Sequence, residues 1–262
     1  MKIQVITPRL IGKLAALLLL GSTVASSAQI VFDDLDPVPL STTRATGDSL
    51  NGLSPQIGSG TWNSDAVFGA VTGVTIDSAG DTPVGFINFT PPASGSFLVS
   101  EDVTPADSSY ITAGFVEDKL DTNIFDATTG DVFVLLQPDG TWGLYSAGTT
   151  NYDGGGTASS FLGADVPNLL TLEYTPTGTD TGTADVFVNS VNVSGNISIT
   201  IPSAIGAAGF VIYNNDDTTT ASSVSNFTVA AAPEPSSVAL VTAGTLALLV
   251  GLVRRRQKAS SV

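Results

Sequence analysis

Apolar residues recur along this chain at every second position, in short runs separated by Gly, Pro, Asn, Asp, Ser and Thr. A period of two places alternate side chains on opposite faces of an extended segment, so the pattern predicts strands. Leu169–Tyr174 is the clearest case, with Leu170, Leu172 and Tyr174 on one face against Thr171 and Glu173. Gln29–Phe32, Val84–Phe89, Ser96–Ser100, Ile111–Val116, Val132–Leu136, Thr141–Tyr145, Ala184–Val188, Ile197–Ile201, Gly209–Tyr213 and Ser222–Val229 read as strands too. Thr61–Asn63, Ala66–Phe68, Val71–Ile76 and Val191–Val193 are shorter candidates, and none of these runs has the length and 3.6 period of a good helix.

Turn chemistry punctuates the runs. Pro138-Asp139-Gly140 between two β-rich stretches predicts a hairpin, because Pro presets φ and Gly accepts a positive φ. Pro37–Gly60 and Ser146–Ser160 read as loops, the second containing Tyr152-Asp153 ahead of three glycines. About a dozen short strands joined this way predict an all-β fold, an antiparallel β-sandwich rather than a parallel α/β sheet.

Two apolar segments break the alternation, one near each end. Lys2, Arg9 and Lys13 precede the apolar Leu14–Leu20, and Ser26-Ser27-Ala28 supplies small residues for a cut between Ala28 and Gln29. That is the pattern of a secretory signal peptide over residues 1–28, implying the Sec translocon and signal peptidase as partners. At the other end Pro233-Glu234-Pro235 precedes a charge-free run, Val238–Val253, and then Arg254-Arg255-Arg256. The run lies at the short edge of the ~17–25 residues that cross a bilayer. It predicts a transmembrane helix over 238–253, whose cationic end stays cytoplasmic and leaves the body outside.

Marker, apolar run and arginine cluster, in that order, resemble the PEP-CTERM sorting signal of Gram-negative bacteria, here over 231–258. The resemblance implies an exosortase acting near Pro233, Glu234 and Pro235, with Arg254, Arg255 and Arg256 as the stop. It also implies an inner-membrane-anchored intermediate, then a cell-surface or extracellular-matrix location, often alongside exopolysaccharide. The body, 29–230, resembles a concanavalin A-like (laminin-G-like) jelly roll. The resemblance rests on the order of Leu169–Tyr174, the strand carrying Asp185–Asn189, and a last strand, Val224–Val229, that would pair near the first. Galactose-binding-type and immunoglobulin-like sandwiches are the alternatives.

Composition narrows the chemistry of the body. The chain has no cysteine and no histidine, which removes disulfides, thiol nucleophiles, the usual triads and the commonest transition-metal ligand. Between Gln29 and Ala232 stand 23 acidic residues and two basic ones, Arg44 and Lys119, a formal charge of about −21. No cationic footprint for phosphate exists there, so nucleic acid is excluded as a partner.

The paired-carboxylate pattern of concanavalin-like glycosidases is missing. Glu101, Glu117 and Glu173, the glutamates of the body, stand apart in sequence, so the expectation is a protein that is not an enzyme; an aspartate pair remains the catalytic alternative. Two oxygen-rich stretches are candidates for calcium: Asp33, Asp34 and Asp36, and Asn214, Asp216 and Asp217. The competing reading makes them turn-forming residues on a solvated acidic surface. Tyr152 and Asp153 are the candidates for contact with extracellular polysaccharide, while Trp62 and Trp142 are expected in the core. The expected function is therefore a non-catalytic surface or matrix protein associated with carbohydrate, the alternatives being a secreted carbohydrate-active enzyme or a purely structural envelope protein.

Overall fold

In a computed structural model the described residues are 29–37, 44–70, 73–75, 82–106, 109–120, 131–147, 152–201, 204–214 and 222–232. All of them fall within one compact unit, Ala28–Ala232. The expected signal peptide with Ala28, the Pro233-Glu234-Pro235 marker, the 238–253 helix, the arginine cluster, and Asp216 and Asp217 lie outside the described residues. Among the described residues no helix is long and apolar enough to cross a membrane.

The described residues form strands β1 (Gln29–Asp33), β2 (Asn63–Ser64), β3 (Val67–Phe68), β4 (Val74–Thr75), β5 (Val84–Asn88), β6 (Phe97–Thr104), β7 (Ser109–Val116) and β8 (Val132–Leu136). They continue with β9 (Thr141–Ser146), β10 (Tyr152–Thr157), β11 (Asn168–Pro176), β12 (Thr181–Val188), β13 (Val191–Asn192), β14 (Ile197–Thr200), β15 (Ala207–Asn214) and β16 (Ser223–Ala231). One sheet runs β13-β12-β11-β6-β16-β4-β3, with β1 added on β16 and β14 on β12; the other runs β10-β9-β8-β7-β15-β5-β2. Every pairing is antiparallel. The expected all-β antiparallel sandwich is what the chain forms.

Alternation decides what lies between the sheets. Val99 and Val103 of β6, Leu170 and Leu172 of β11, and Val186 and Val188 of β12 supply one inner face. Ile111, Ala113 and Phe115 of β7, Val132 and Val134 of β8, and Phe210 and Ile212 of β15 supply the other. Trp62 packs edge-on against Phe227 at 5.0 Å, and Phe97 against Phe115 at 5.0 Å, so aromatic pairs bridge the layers. Each such fully buried side chain stabilises the fold by about 1.5–3 kcal/mol. Trp62 and Trp142 are both buried, as expected.

The hairpin at Pro138-Asp139-Gly140 joins β8 to β9: Gly140 takes φ +80°, and its N–H donates to the Gln137 carbonyl at 3.0 Å. Two expectations need correction. Ser146–Ser160 is not all loop, since Tyr152–Thr157 is strand β10, paired along β9. The strand beginning near Ser96 does not stop at Ser100 but continues to Thr104, which carries Glu101 into the core.

Candidate functional site

The outer face of the β10-to-β2 sheet carries a continuous row of residues in register across six strands. Phe86 of β5 opposes Gly209 of β15, which opposes Gly114 of β7, then Phe133 of β8, Tyr145 of β9 and Tyr152 of β10. Side chains in such a row touch their cross-strand neighbours. Phe133 and Tyr145 stack at 5.3 Å with planes 12° apart, and Tyr152 meets Tyr145 edge-on at 5.3 Å. Further along the same face Tyr110 of β7 stacks on Tyr213 of β15 at 4.5 Å and 10°. Of the five tyrosines in the chain, four therefore stand on one face of one sheet.

Glycine makes this face. A Cβ on Gly143 would sit 3.0 Å from the Tyr145 ring and 3.5 Å from that of Tyr152, and one on Gly155 would strike the Tyr152 hydroxyl. The rings thus lie down along β9 and β10 where other residues would force them upright. A run of three glycines looks like loop in sequence, yet it forms strand β10, where Gly155 leaves room for the Tyr152 ring and Gly154 for the Ile197 side chain.

The face is graded from wet to dry. Tyr152, on the edge strand, is 58% exposed, whereas Tyr110, Tyr145 and Tyr213 are half-buried. Burial first, then the neighbouring Tyr213 and Tyr145, pushes the Tyr110 hydroxyl up to about 12. Tyr145 is raised by burial and by Tyr152. Beside them a bulge falls between Tyr152 and Gly154, so that Tyr152 and Asp153 together oppose Tyr145. Burial raises the Asp153 carboxyl, an effect opposed by hydrogen bonds from Ser146. Its Oδ2 is buried and accepts no hydrogen bond. The two residues expected to touch ligand therefore differ: Tyr152 is exposed and meets the Tyr145 ring, while the Asp153 carboxyl is turned to Ser146.

The candidate calcium trio comes together in a different way. Arg44 donates to both oxygens of Asp33, Nη1 to Oδ1 at 2.7 Å and Nη2 to Oδ2 at 3.0 Å. Trp62 Nε1 adds a bond to Oδ2 at 3.0 Å, and the Leu35 N–H one to Oδ1 at 3.1 Å. Asp34 accepts from Gln56 at 2.5 Å and from Arg44 at 3.4 Å, and Asp36 accepts from the Gly73 N–H at 2.8 Å. These donor atoms do not fit calcium, because a guanidinium already holds the position a cation would take. Among the described residues no three His, Cys, Asp or Glu side chains are placed to hold a metal. Asn214 ends β15, away from this cluster in the chain, and its expected partners lie outside the described residues.

Glu173 does not stand alone. It faces Asp185 directly across β11 and β12 on the outer side of the other sheet. Burial first, and then Asp185, raises its carboxyl, while a hydrogen bond from Ser96 opposes the shift. Asp185 accepts from Asn192 Nδ2 at 2.7 Å.

No family model matches the chain, and no curated protein is significantly similar to it. Solved structures do resemble it. The carbohydrate recognition domain of Emp47p matches over 70% of this chain and 94% of its own, at 11% identity and TM-score 0.49. A Bacillus subtilis protein of unknown function with a galectin-like fold matches over 65% and 89%, at 10% identity and TM-score 0.45. The exoplasmic/lumenal domain of VIP36, with calcium and mannose bound, matches over 65% and 83%, at 13% identity and TM-score 0.43.

Proposed function

We propose that this chain is a non-catalytic carbohydrate-binding protein, with the tyrosine face of the β10-to-β2 sheet as its binding surface. The observation that carries the reading is the concentration of Tyr110, Tyr145, Tyr152 and Tyr213 on that face, with the rings of Tyr145 and Tyr152 seated on glycine. A sugar ring has an apolar face of C–H bonds and an edge of hydroxyls. Tyrosine matches both, since its ring is apolar and its hydroxyl both donates and accepts. Export and exosortase sorting, supported by the residue patterns at 1–28 and 231–258, would deliver this face to the polysaccharide of the cell surface or matrix.

A glycan array probed with the wild type and with Tyr152→Ala tests the reading. Tyr152 is mostly exposed, so its removal spares the core; binding should weaken about tenfold or more, as for an interface anchor. Equal binding by both proteins would overturn the assignment.

The second reading, a glycoside-cleaving enzyme, has the Glu173–Asp185 pair as its basis, because facing carboxylates with one raised toward neutrality are what acid–base hydrolysis needs. It predicts reducing-sugar release that Glu173→Gln abolishes. Binding without release, lost with Tyr152, favours the first reading.

A further inference from the structure

We infer that the tyrosine face takes uncharged polysaccharide and refuses acidic polymers; the inference rests on the binding surface proposed above. Recognition of a uronate, sulfate or phosphate requires a cation or a cluster of N–H donors aimed at it. Between Gln29 and Ala232 the sequence offers two cations, Arg44 and Lys119. Arg44 is held by Asp33 and Asp34, carboxylates at the end of β1 in the other sheet. Lys119 donates through Nζ to the carbonyl and the hydroxyl of Thr61, at 2.9 and 3.1 Å. Its backbone is fixed as well: its N–H donates to Asn88 of β5, and its carbonyl accepts from Asn63 of β2. Those strands stand at the edge of the sheet opposite β10. Six inter-strand steps separate β2 from β10, about 29 Å at ~4.8 Å each. Neither cation reaches the ring of Tyr152.

What the face does present is suited to hydroxyls. Its four phenols, the exposed Tyr152 and the half-buried Tyr110, Tyr145 and Tyr213, can give and receive O–H hydrogen bonds. An acidic sugar at the same position would bring an anion to a face with no cation to receive it. Behind the face lies a body of 23 acids and two bases, whose field repels a polyanion before contact. The discrimination therefore has a short-range part, the missing cation, and a long-range part that salt screens.

Affinity gel electrophoresis of the full chain in excess chelator separates the outcomes, using polymers matched in backbone: hydroxyethylcellulose against carboxymethylcellulose, and dextran against dextran sulfate. Runs at about 0.01 M and 0.3 M salt place the screening length near 30 Å and below 10 Å. The neutral member of at least one pair should retard the wild type at both salts, and Tyr152→Ala should remove that retardation. The acidic member should bind at least about tenfold more weakly at low salt, with the gap narrowing at high salt. Equal or stronger retardation by the acidic member at low salt, itself lost in Tyr152→Ala, would overturn the charge selectivity and leave the binding surface standing. If neither member of either pair retards the protein, or Tyr152→Ala changes nothing, the binding surface itself is overturned.

Discussion

Arg44 and Asp33 form a two-pronged ion pair at the point where β1 leaves its sheet, with the Asp33 side chain wholly buried and that of Arg44 11% exposed. The pair holds more than two residues. Asp33 also takes the indole N–H of the buried Trp62 and the N–H of Leu35, which adopts φ +57°, a left-handed backbone that leucine rarely tolerates. Arg44→Ala strips a buried carboxylate of its cation and should cost about 3–5 kcal/mol. Urea melts of the wild type, Arg44→Ala, Asp33→Asn and the double variant form a cycle. Single losses under about 1 kcal/mol, or strictly additive ones, would contradict the coupling described here.

Glu101 is the counter-case, a carboxyl wholly buried with neither oxygen hydrogen-bonded. Burial, with a smaller contribution from Asp102, raises it well above its ordinary 4.5. The folded chain keeps this proton at pH values where the unfolded chain releases it. The stability tied to this group is therefore complete below pH 4.5 and falls as pH rises toward the folded value. The slope is at most about 1.4 kcal/mol per pH unit. Glu101→Gln cannot titrate, so its stability should decline less than that of the wild type between pH 5 and pH 8. Parallel pH profiles of the two proteins would refute the argument.

Gly143 tests whether the tyrosines act as a laid-down surface. The atoms nearest an added Cβ belong to the rings of Tyr145 and Tyr152. Gly143→Ala should lift those rings and weaken glycan binding several-fold, while unfolding free energy changes by less than about 1 kcal/mol, because ring edges give way more readily than backbone. Gly209→Ala makes the contrast, since its Cβ would strike the Gly85 carbonyl oxygen; it should destabilise by at least about 2 kcal/mol. If Gly143→Ala binds glycan as the wild type does, the rings do not form the contact surface.

Alkali reports on the same face. Tyr110, pushed up to about 12, should remain protonated in the folded protein after an unburied tyrosine has ionised near 10. Ultraviolet titration should show a late component, the latest part of which Tyr110→Phe removes. The sign also predicts instability in base, because the unfolded chain ionises first and is favoured as pH climbs past 10. A wild-type titration with no late component would count against the packed Tyr110–Tyr213 pair.

Much of this molecule is legible in its sequence. Leu169–Tyr174 alternates cleanly because one face of β11 is core, and Pro138-Asp139-Gly140 turns the chain by its own backbone preferences. The harder parts depend on partners distant in sequence. Gly154-Gly155-Gly156 carries no β signal of its own; β9 recruits it as a strand whose missing side chains leave room for rings. Glu101 reads as the first polar residue past a strand ending at Ser100 until register places it opposite Leu170. Asp33 reads as either a calcium candidate or a turn residue on a solvated surface until Arg44 arrives across a Pro/Ser/Thr-rich stretch with no periodicity to follow. Tyr152 and Asp153 were identifiable as candidates, but the alignment of Tyr110, Tyr145 and Tyr213 beside them comes from strand order, which local pattern does not encode.

The pairing of β1 with β16 has a mechanical consequence. Gln29 lies opposite Ala230, and the register runs inward from there through Val31–Val229 to Asp33–Phe227. Both ends of the sandwich therefore leave from one seam, side by side. A pull between the two ends loads the backbone bonds of that seam one row at a time, so it peels open at low force. A pull between one end and a polymer held on the tyrosine face is carried instead through the packed layers. In the proposed role, drag from a bound polymer on a chain fixed at one terminus would load the molecule along its stronger direction.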